Sequence, residues 1–334
     1  LPNLLLSYNP DNLYISFKDE EVLQVLLANG VGDGVGIINE DVVKVTDIGL
    51  WFMSNKNIRY FDEFEKFIGV TTTKQSTYPI QGAFAGTTLE RIKLPQSLTV
   101  LGNGIFASMT TLETLDMTYV TKVGYMAFYR NTGIVTVITP NLTEILGGAF
   151  YNCTSLESID LSKVIVIPAA YSWNGTSHGC FQNCTSLRSV VFSKETTSIG
   201  NNAFYNCTSL SFDELNLPNL ETLGKNAFYG VRIKKISNLG KITEIPSGGT
   251  DTSNSTFGAK DTLESIILPE TLLSIGSYAF YRYNLIKEII VPNSVTTINS
   301  NAFQEMYGLQ KLVLGSGVTT IGQNAIRNTN SLES

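Results

Sequence analysis

The chain is poor in the side chains that perform chemistry. One histidine in 334 residues removes any two-imidazole metal site and leaves a single imidazole base, His178. Four cysteines are too few for a disulfide-dense scaffold. Charged residues make up 16% of the chain, well below the usual share of about 25%, so Asn, Ser, Thr, Tyr and Gly must cover most of the surface. The 23 Lys and Arg are outnumbered by 29 Asp and Glu, and a net charge of −6 offers no cationic stripe for phosphates, which excludes a nucleic-acid binder. No apolar run approaches the roughly 18 residues of a membrane-spanning helix. Leu4-Leu5-Leu6 is too short for a signal core, and a chain that starts at Leu1 is expected to have lost a targeting segment. Intrinsic disorder is excluded by 43% hydrophobic and 10% aromatic residues.

What the sequence has instead is a repeat. Phenylalanine, usually after Ala, returns at positions 84, 106, 128, 150, 181, 204, 228, 257, 280 and 303, with Ile326 in the last place. The successive gaps are 22, 22, 22, 31, 23, 24, 29, 23, 23 and 23 residues. A period of this size lies in the leucine-rich range of about 20–29 and well short of ankyrin or tetratricopeptide arrays. One unit reads Phe150, Cys153, Leu156, Ile159, Leu161, Val164 and Ile167, with polar residues between. Its Leu-x-x-Ile-x-Leu core ends in period-two alternation, which predicts a short strand at Ile159-Asp160-Leu161 and likewise at Ile266-Ile267-Leu268. Pro95, Pro140, Pro269 and Pro292 follow such strands. Gly102, Gly124, Gly200, Gly224, Gly276 and Gly322, four before the Phe position, suit a tight turn. The Ala-Phe-x-x-Cys piece predicts a single helical or 3-10 turn on the opposite side. The fold class is therefore an α/β repeat solenoid of about ten coils, with parallel strands on a concave face and short turns on a convex one.

The run Gly-x-x-Ala-Phe-x-x-Cys-x-Ser-Leu-x-x-Ile-x-Leu-Pro, clearest at Gly147 to Leu161 and Gly200 to Leu210, resembles the BspA-like leucine-rich repeats of bacterial surface proteins. The resemblance covers roughly residues 80–334. It implies a secreted or cell-surface protein that binds other proteins, host or matrix proteins among them. The unit after Phe204 departs from the pattern: Asp213 stands where Ile is expected and the strand shifts to Leu215 and Leu217.

Residues 1–79 lack the Phe repeat and form an N-terminal cap region ahead of the repeat domain at 80–334. Asp19 to Ala28 predicts a short helix with Val22, Val25 and Leu26 inward. The stretch Asn29 to Gly36 holds four glycines. In similar surface proteins the equivalent region looks like a calcium loop, but here only Asp33-Gly34 and Ile37-Ile38 remain, too few oxygens for an ion that needs six to eight. Its Gly-x-Gly spacing mimics a nucleotide loop, yet no strand precedes it and no Lys-Ser/Thr follows. Ile58, Phe61, Phe64 and Phe67 make an apolar stripe expected to be an atypical first coil or a capping helix. The C-terminal end shows no equivalent, since Leu332-Glu333-Ser334 stops before a strand.

Chemistry has few places to reside. His178, Cys180 and Cys184 form a partial ligand or nucleophile set, but Cys184 shares its repeat slot with Cys153 and Cys207, and Cys180 replaces the Ala before Phe181. Small buried hydrophobes in a column are the expected reading; a disulfide, a metal site and thiol catalysis are the alternatives. The Asn-x-Ser/Thr triplets at Asn141, Asn152, Asn174, Asn183, Asn206 and Asn254 read as turn asparagines before glycosylation acceptors. Acidic pairs such as Asp213-Glu214 are solvated faces.

Two features suggest contact surfaces. The strand-face slot between the inward residues runs Lys93, Asp116, Ile138, Asp160, Val191, Ile267, Ile290 and Val313. Its last three members make an apolar row bordered by Ser265, Glu288 and Lys311, set against the simpler explanation of strand propensity. Two longer gaps follow Ile-Pro. Ala169 to His178, with Tyr171 and Trp173, and Ser247 to Ser255 are expected to protrude on one side. Tyr129, Tyr151, Tyr205, Tyr229 and Tyr281 form a third column expected to cover the convex side. The function expected is protein binding by a monomer, with no catalytic residue, metal or cofactor. A carbohydrate-binding surface protein using Trp173, and a thiol enzyme using Cys180 or Cys184, are the competing classes.

Overall fold

A computed structural model describes residues 14–73, 78–248 and 256–333. The second insertion, including Asn254, falls mostly outside them, as do Leu1, Leu4 to Leu6 and Ser334.

The repeat phenylalanines share one interior column. Rings of Phe84, Phe106, Phe128, Phe150, Phe181, Phe204 and Phe228 stack with centroids 4.8–5.7 Å apart, and all are fully buried. Phe257, Phe280 and Phe303 continue the pattern at 5.6 and 5.4 Å. Offset stacking of this kind adds to the area each ring removes from water. We name each coil after its Phe.

Each coil contributes strands to two parallel ladders. The first holds the Leu-x-x-Ile-x-Leu strands: Tyr60–Phe61, Arg91–Ile92, Thr114–Asp116, Thr136–Ile138, Ser158–Leu161, Ser189–Phe192, Ser211–Asn216, Arg232–Asn238, Ser265–Ile266, Glu288–Ile290 and Lys311–Val313. The second holds two-residue strands such as Lys122–Val123, Glu144–Ile145 and Ser274–Ile275, whose inward member fills the core behind the first. This second ladder was not foreseen, because two residues are too few to show a period.

The third side is built from turns. Ala149, Tyr151 and Cys153 each donate N–H to the carbonyl three residues back, while Phe150 and Asn152 donate to the next coil at Cys180 and Gln182. Each such piece is a chain of 3-10-type turns that alternates bonds within and between coils. Left-handed backbone breaks it into separate turns, two residues before and two after the Phe: Asn202 and Asn206 (φ 56° and 61°), Asn301 and Glu305 (60° and 57°). Asn tolerates that region better than most residues, which explains Asn152, Asn183 and Asn206 as backbone devices.

The glycine four before the Phe has another cause than the turn expected of it. Gly224 has ordinary φ, but a Cβ there would lie 2.2 Å from the Asn201 nitrogen of the preceding coil. Close approach of coil to coil requires the missing side chain.

The N-terminal region joins the same core. Helix Glu20–Ala28 is capped by the Asp19 carboxylate, which accepts from the Glu21 N–H, and buries Val22 and Leu26; Val25 is half-buried. A second short helix, Asn39–Lys44, follows. Tyr60–Phe61 pairs with Arg91–Ile92 and runs into a 3-10 turn, Asp62–Lys66, so the Phe61, Phe64, Phe67 stripe is a coil with a helical element inside it. Phe52 stacks on Phe84 at 5.5 Å and extends the column ahead of the first repeat. At the other end, Ile321 is exposed while its counterpart Ile298 is buried.

Candidate functional site

The first ladder places the predicted slot on the outside. Ile138, Val191, Ile267, Ile290 and Val313 are all exposed, between 39% and 59%, whereas their neighbours Ile266 and Ile289 are buried. Lys93, Asp116 and Asp160 point out from the same slot in earlier coils. In the Phe204 and Phe228 coils the strands lengthen to Ser211–Asn216 and Arg232–Asn238, with a bulge after Leu215 that puts Asn216 in the slot and Ser237 and Asn238 opposite it. The shifted inward residues Leu215 and Leu217 are buried, as their positions in the sequence suggested. The outward face is thus mostly polar in the first half and turns apolar at Ile267.

The ladder is not continuous. It divides into Tyr60–Ile92, Thr114–Phe192, Ser211–Ile266 and Glu288–Val313 blocks. At the joint between the Phe181 and Phe204 coils, the Phe192 and Phe212 rings meet at 5.9 Å and fill the space. At the first joint a hollow of about 510 Å³ is lined by Ile68, Ile92 and Leu94 together with Glu65, Lys93, Gln96, Asp116 and Tyr119, and Lys93 pairs with Glu65. At the joint between the Phe257 and Phe280 coils no such aromatic pair fills the space among the described residues. A cavity of about 460 Å³ opens there against Ile266, Ile267, Leu268, Ile290 and Pro292, with Glu264, Glu270, Lys287 and Glu288 on its rim.

This joint lacks the bonds its neighbours make. In the next coil, Gln310 donates N–H to the Lys287 carbonyl at 2.8 Å, and the Val291 N–H reaches Val313 at 2.8 Å. Among the described residues no backbone hydrogen bond joins Ser265–Ile266 to Glu288–Ile290. The two coils remain attached through the second ladder, Ser274–Ile275 on Thr297–Ile298, and through the Phe257–Phe280 stack. Closed behind and open in front, the joint is a wedge. Its rim carries Glu264, Glu270 and Lys287, none of which forms an ion pair among the described residues, while Glu288 is held by Lys311 at 2.6 Å.

The Ala169 to His178 insertion is a hairpin. Tyr171–Trp173 pairs antiparallel with Thr176–His178 around Asn174-Gly175, both in left-handed backbone. Asn-Gly between two such runs is the hairpin signature, the signal that sequence reasoning passed over. The hairpin folds back on the turn side rather than standing free. Tyr171 meets Tyr125 at 4.6 Å with the rings tilted by 35°, Trp173 meets Tyr129 edge-on at 6.3 Å, and both pack beside Met126 and Ala107. Tyr171 and Trp173 are therefore half-buried, with part of each ring serving the core. Tyr129 and Tyr151, and Tyr205 and Tyr229, stack as the predicted column.

His178 and the cysteines hold structural places. The His178 ring is buried against Tyr151 at 4.6 Å, with Nδ1 3.3 Å from the Tyr171 carbonyl. Loss of water around the ring lowers its pKa, and Arg130 pushes the same way. Cys153, Cys184 and Cys207 each donate S–H to the carbonyl of a stacked Phe in the coil before, at 3.0–3.1 Å. Asn131 does the same with its amide to Phe106. Cys180 lies 3.7 Å from the Leu146 carbonyl. All four thiols are free and buried. Burial pushes Cys153, Cys180 and Cys207 well above the usual thiol range, which opposes the thiolate that nucleophilic or metal chemistry needs. In the Gly-rich loop, Asp33 accepts from the Val35 and Gly36 N–H groups and from the Tyr14 hydroxyl, which hold its pKa down to about 2. Its oxygens are already spent on the loop itself. Among the described residues no cluster of three or more His, Cys, Asp or Glu side chains could hold a metal ion, and no helix is long and apolar enough to cross a membrane.

Comparison with known proteins agrees with this architecture. The model of the BspA type leucine rich repeat region matches residues 79–177, 174–249 and 241–334. A leucine-rich repeat protein from Bacteroides ovatus superposes with a TM-score of 0.60 at 21% identity, over 86% of this chain and 75% of that one. A leucine rich cell surface protein from Faecalibacterium prausnitzii is similar at 17% identity and a TM-score of 0.44, over 79% and 82%. No curated protein matches the chain. With stacked phenylalanines, paired ladders and a family pattern running from residue 79 to the last repeat, the chain belongs to the BspA-type leucine-rich repeat family.

Proposed function

We propose that the chain is a bacterial cell-surface or secreted binding protein, without catalysis, whose first sheet engages a protein partner. The observation that carries this reading is the apolar open joint: Ile267 and Ile290, at 59% and 58%, are the most exposed apolar side chains of the outward slot. Apolar surface grouped in this way marks contact sites. Buried thiols with raised pKa values and a buried histidine support the absence of an enzyme. Val313 and the Glu288–Lys311 pair extend the same surface. Host or extracellular-matrix proteins are the class of partner.

The half-exposed Tyr171 and Trp173, beside Tyr125, support a second reading, a sugar ring stacked on the hairpin. Surface plasmon resonance of the immobilised chain against purified matrix proteins, run beside a glycan array, separates the two. The first reading expects a protein that binds the wild type and not Ile290→Asp, with a silent array. Glycan binding lost in Trp173→Ala, with Ile290→Asp unaffected, overturns it.

A further inference from the structure

Resting on that reading, we infer that the open joint takes an extended peptide segment of the partner, added as a strand between the Phe257 and Phe280 coils, with an apolar side chain seated between Ile267 and Ile290 and a Lys or Arg beside Glu264 and Glu270. Three observations select this occupant over a globular face.

Backbone comes first. Between the Phe280 and Phe303 coils the strands bond to one another, yet here the Ile290 carbonyl and the Leu268 N–H lack the inter-coil bond that Val313 and Val291 make there. Two facing sheet edges with unused donors and acceptors are what strand addition uses for affinity. Shape comes next. The cavity of about 460 Å³ is lined from both strands, by Ile266 to Leu268 and by Glu288 and Ile290, and shares Glu264 with a hollow of about 380 Å³ lined by Asp213, Arg232, Lys234, Asp261 and Leu285. Charge then sets composition. Among the described residues Glu264 and Glu270 carry no ion pair; Lys287 on the same rim offsets one of the two carboxylates, and Lys234 is held 2.6 Å from Asp213. A basic side chain would pair with the second carboxylate.

The contrast with the Phe181/Phe204 joint argues that the opening is specific. There the same interruption of the ladder is plugged by Phe192 and Phe212, so an unfilled joint is not the necessary result of a broken ladder.

The test selects random linear heptapeptides displayed on phage against the whole chain, with Ile290→Asp as the counter-selecting protein. Because Ile290 is an exposed side chain, circular dichroism should show this variant folded. Enriched peptides are expected to place Lys or Arg beside Ile, Val or Leu. The synthetic peptide should bind at least tenfold more weakly to Ile290→Asp and to the double variant Glu264→Lys, Glu270→Lys. Methylation of alternate backbone nitrogens should weaken it at least tenfold. Binding unaffected by N-methylation but lost in Ile290→Asp overturns strand addition and leaves the contact surface standing. Selection that yields no Ile290-dependent peptide overturns the inference as well. A whole-protein partner indifferent to Ile290→Asp brings down the functional reading itself.

Discussion

Two interruptions of one sheet are solved in opposite ways. At the Phe181/Phe204 joint, Phe192 and Phe212 take the place of ladder bonds; at the Phe257/Phe280 joint, bonds and filler are both missing. The phenylalanine column passes through each, at 5.1 and 5.6 Å. Continuity of the core and continuity of the hydrogen-bonded sheet are thus separable in a solenoid. One coil can stay stacked on its neighbour while its outer strand is free to bind something else.

The largest expected effect tests how firmly each joint is held. Phe181→Ala and Phe280→Ala each remove a fully buried ring and should cost about 3–5 kcal/mol. At Phe181 the sheet is bonded to the preceding coil and the joint beyond it is filled by Phe192 and Phe212, so guanidinium unfolding should keep one transition. Phe280→Ala should split it in two, since the second ladder is then the one backbone-bonded connection across the joint among the described residues. A single transition in both would show the joints to be equivalent. Phe212→Ala should convert the filled joint into an open one at a cost of about 2 kcal/mol, less than a full core truncation because the ring is half-buried. Increased binding of an apolar dye by this variant checks the point.

Acid should act on neither joint but on the hairpin. His178 has a folded pKa below its unfolded value, so it contributes stability above about pH 6.5 that is lost as pH falls toward the folded value. In a Trp51→Phe background, Trp173 fluorescence should change over that window, with far-ultraviolet circular dichroism constant; a flat signal contradicts it. The smallest effect lies in the turns. Ser108 holds left-handed backbone at φ 56°, and Ser108→Asn should raise the unfolding free energy by about 0.5 kcal/mol. Iodoacetamide should label none of the four thiols before unfolding.

Most of the fold was legible because a Phe in a stacked column leaves a period that survives any change in the residues between. The outward row of Ile267, Ile290 and Val313 was legible for the same reason, as side chains alternate along a strand. What escaped has physical causes. Gly224 reads as a turn residue, although contact with Asn201 of another coil decides it. The hairpin at Asn174-Gly175 is local and was legible, but its docking on Tyr125 and Tyr129 depends on coils more than forty residues away. The open joint leaves no mark in sequence, because a missing hydrogen bond between Glu264 to Leu268 and Lys287 to Ile290 has no residue signature.

Hydrogen–deuterium exchange, read segment by segment on the intact chain, tests the central claim most directly. Amides of residues 264–270 and 287–292 should exchange faster than those of 114–116 and 136–138, which share an unbroken ladder, and should slow when the selected peptide is added. Equal, slow exchange in all four segments, or fast exchange at 264–270 and 287–292 that the peptide leaves unchanged, would contradict it.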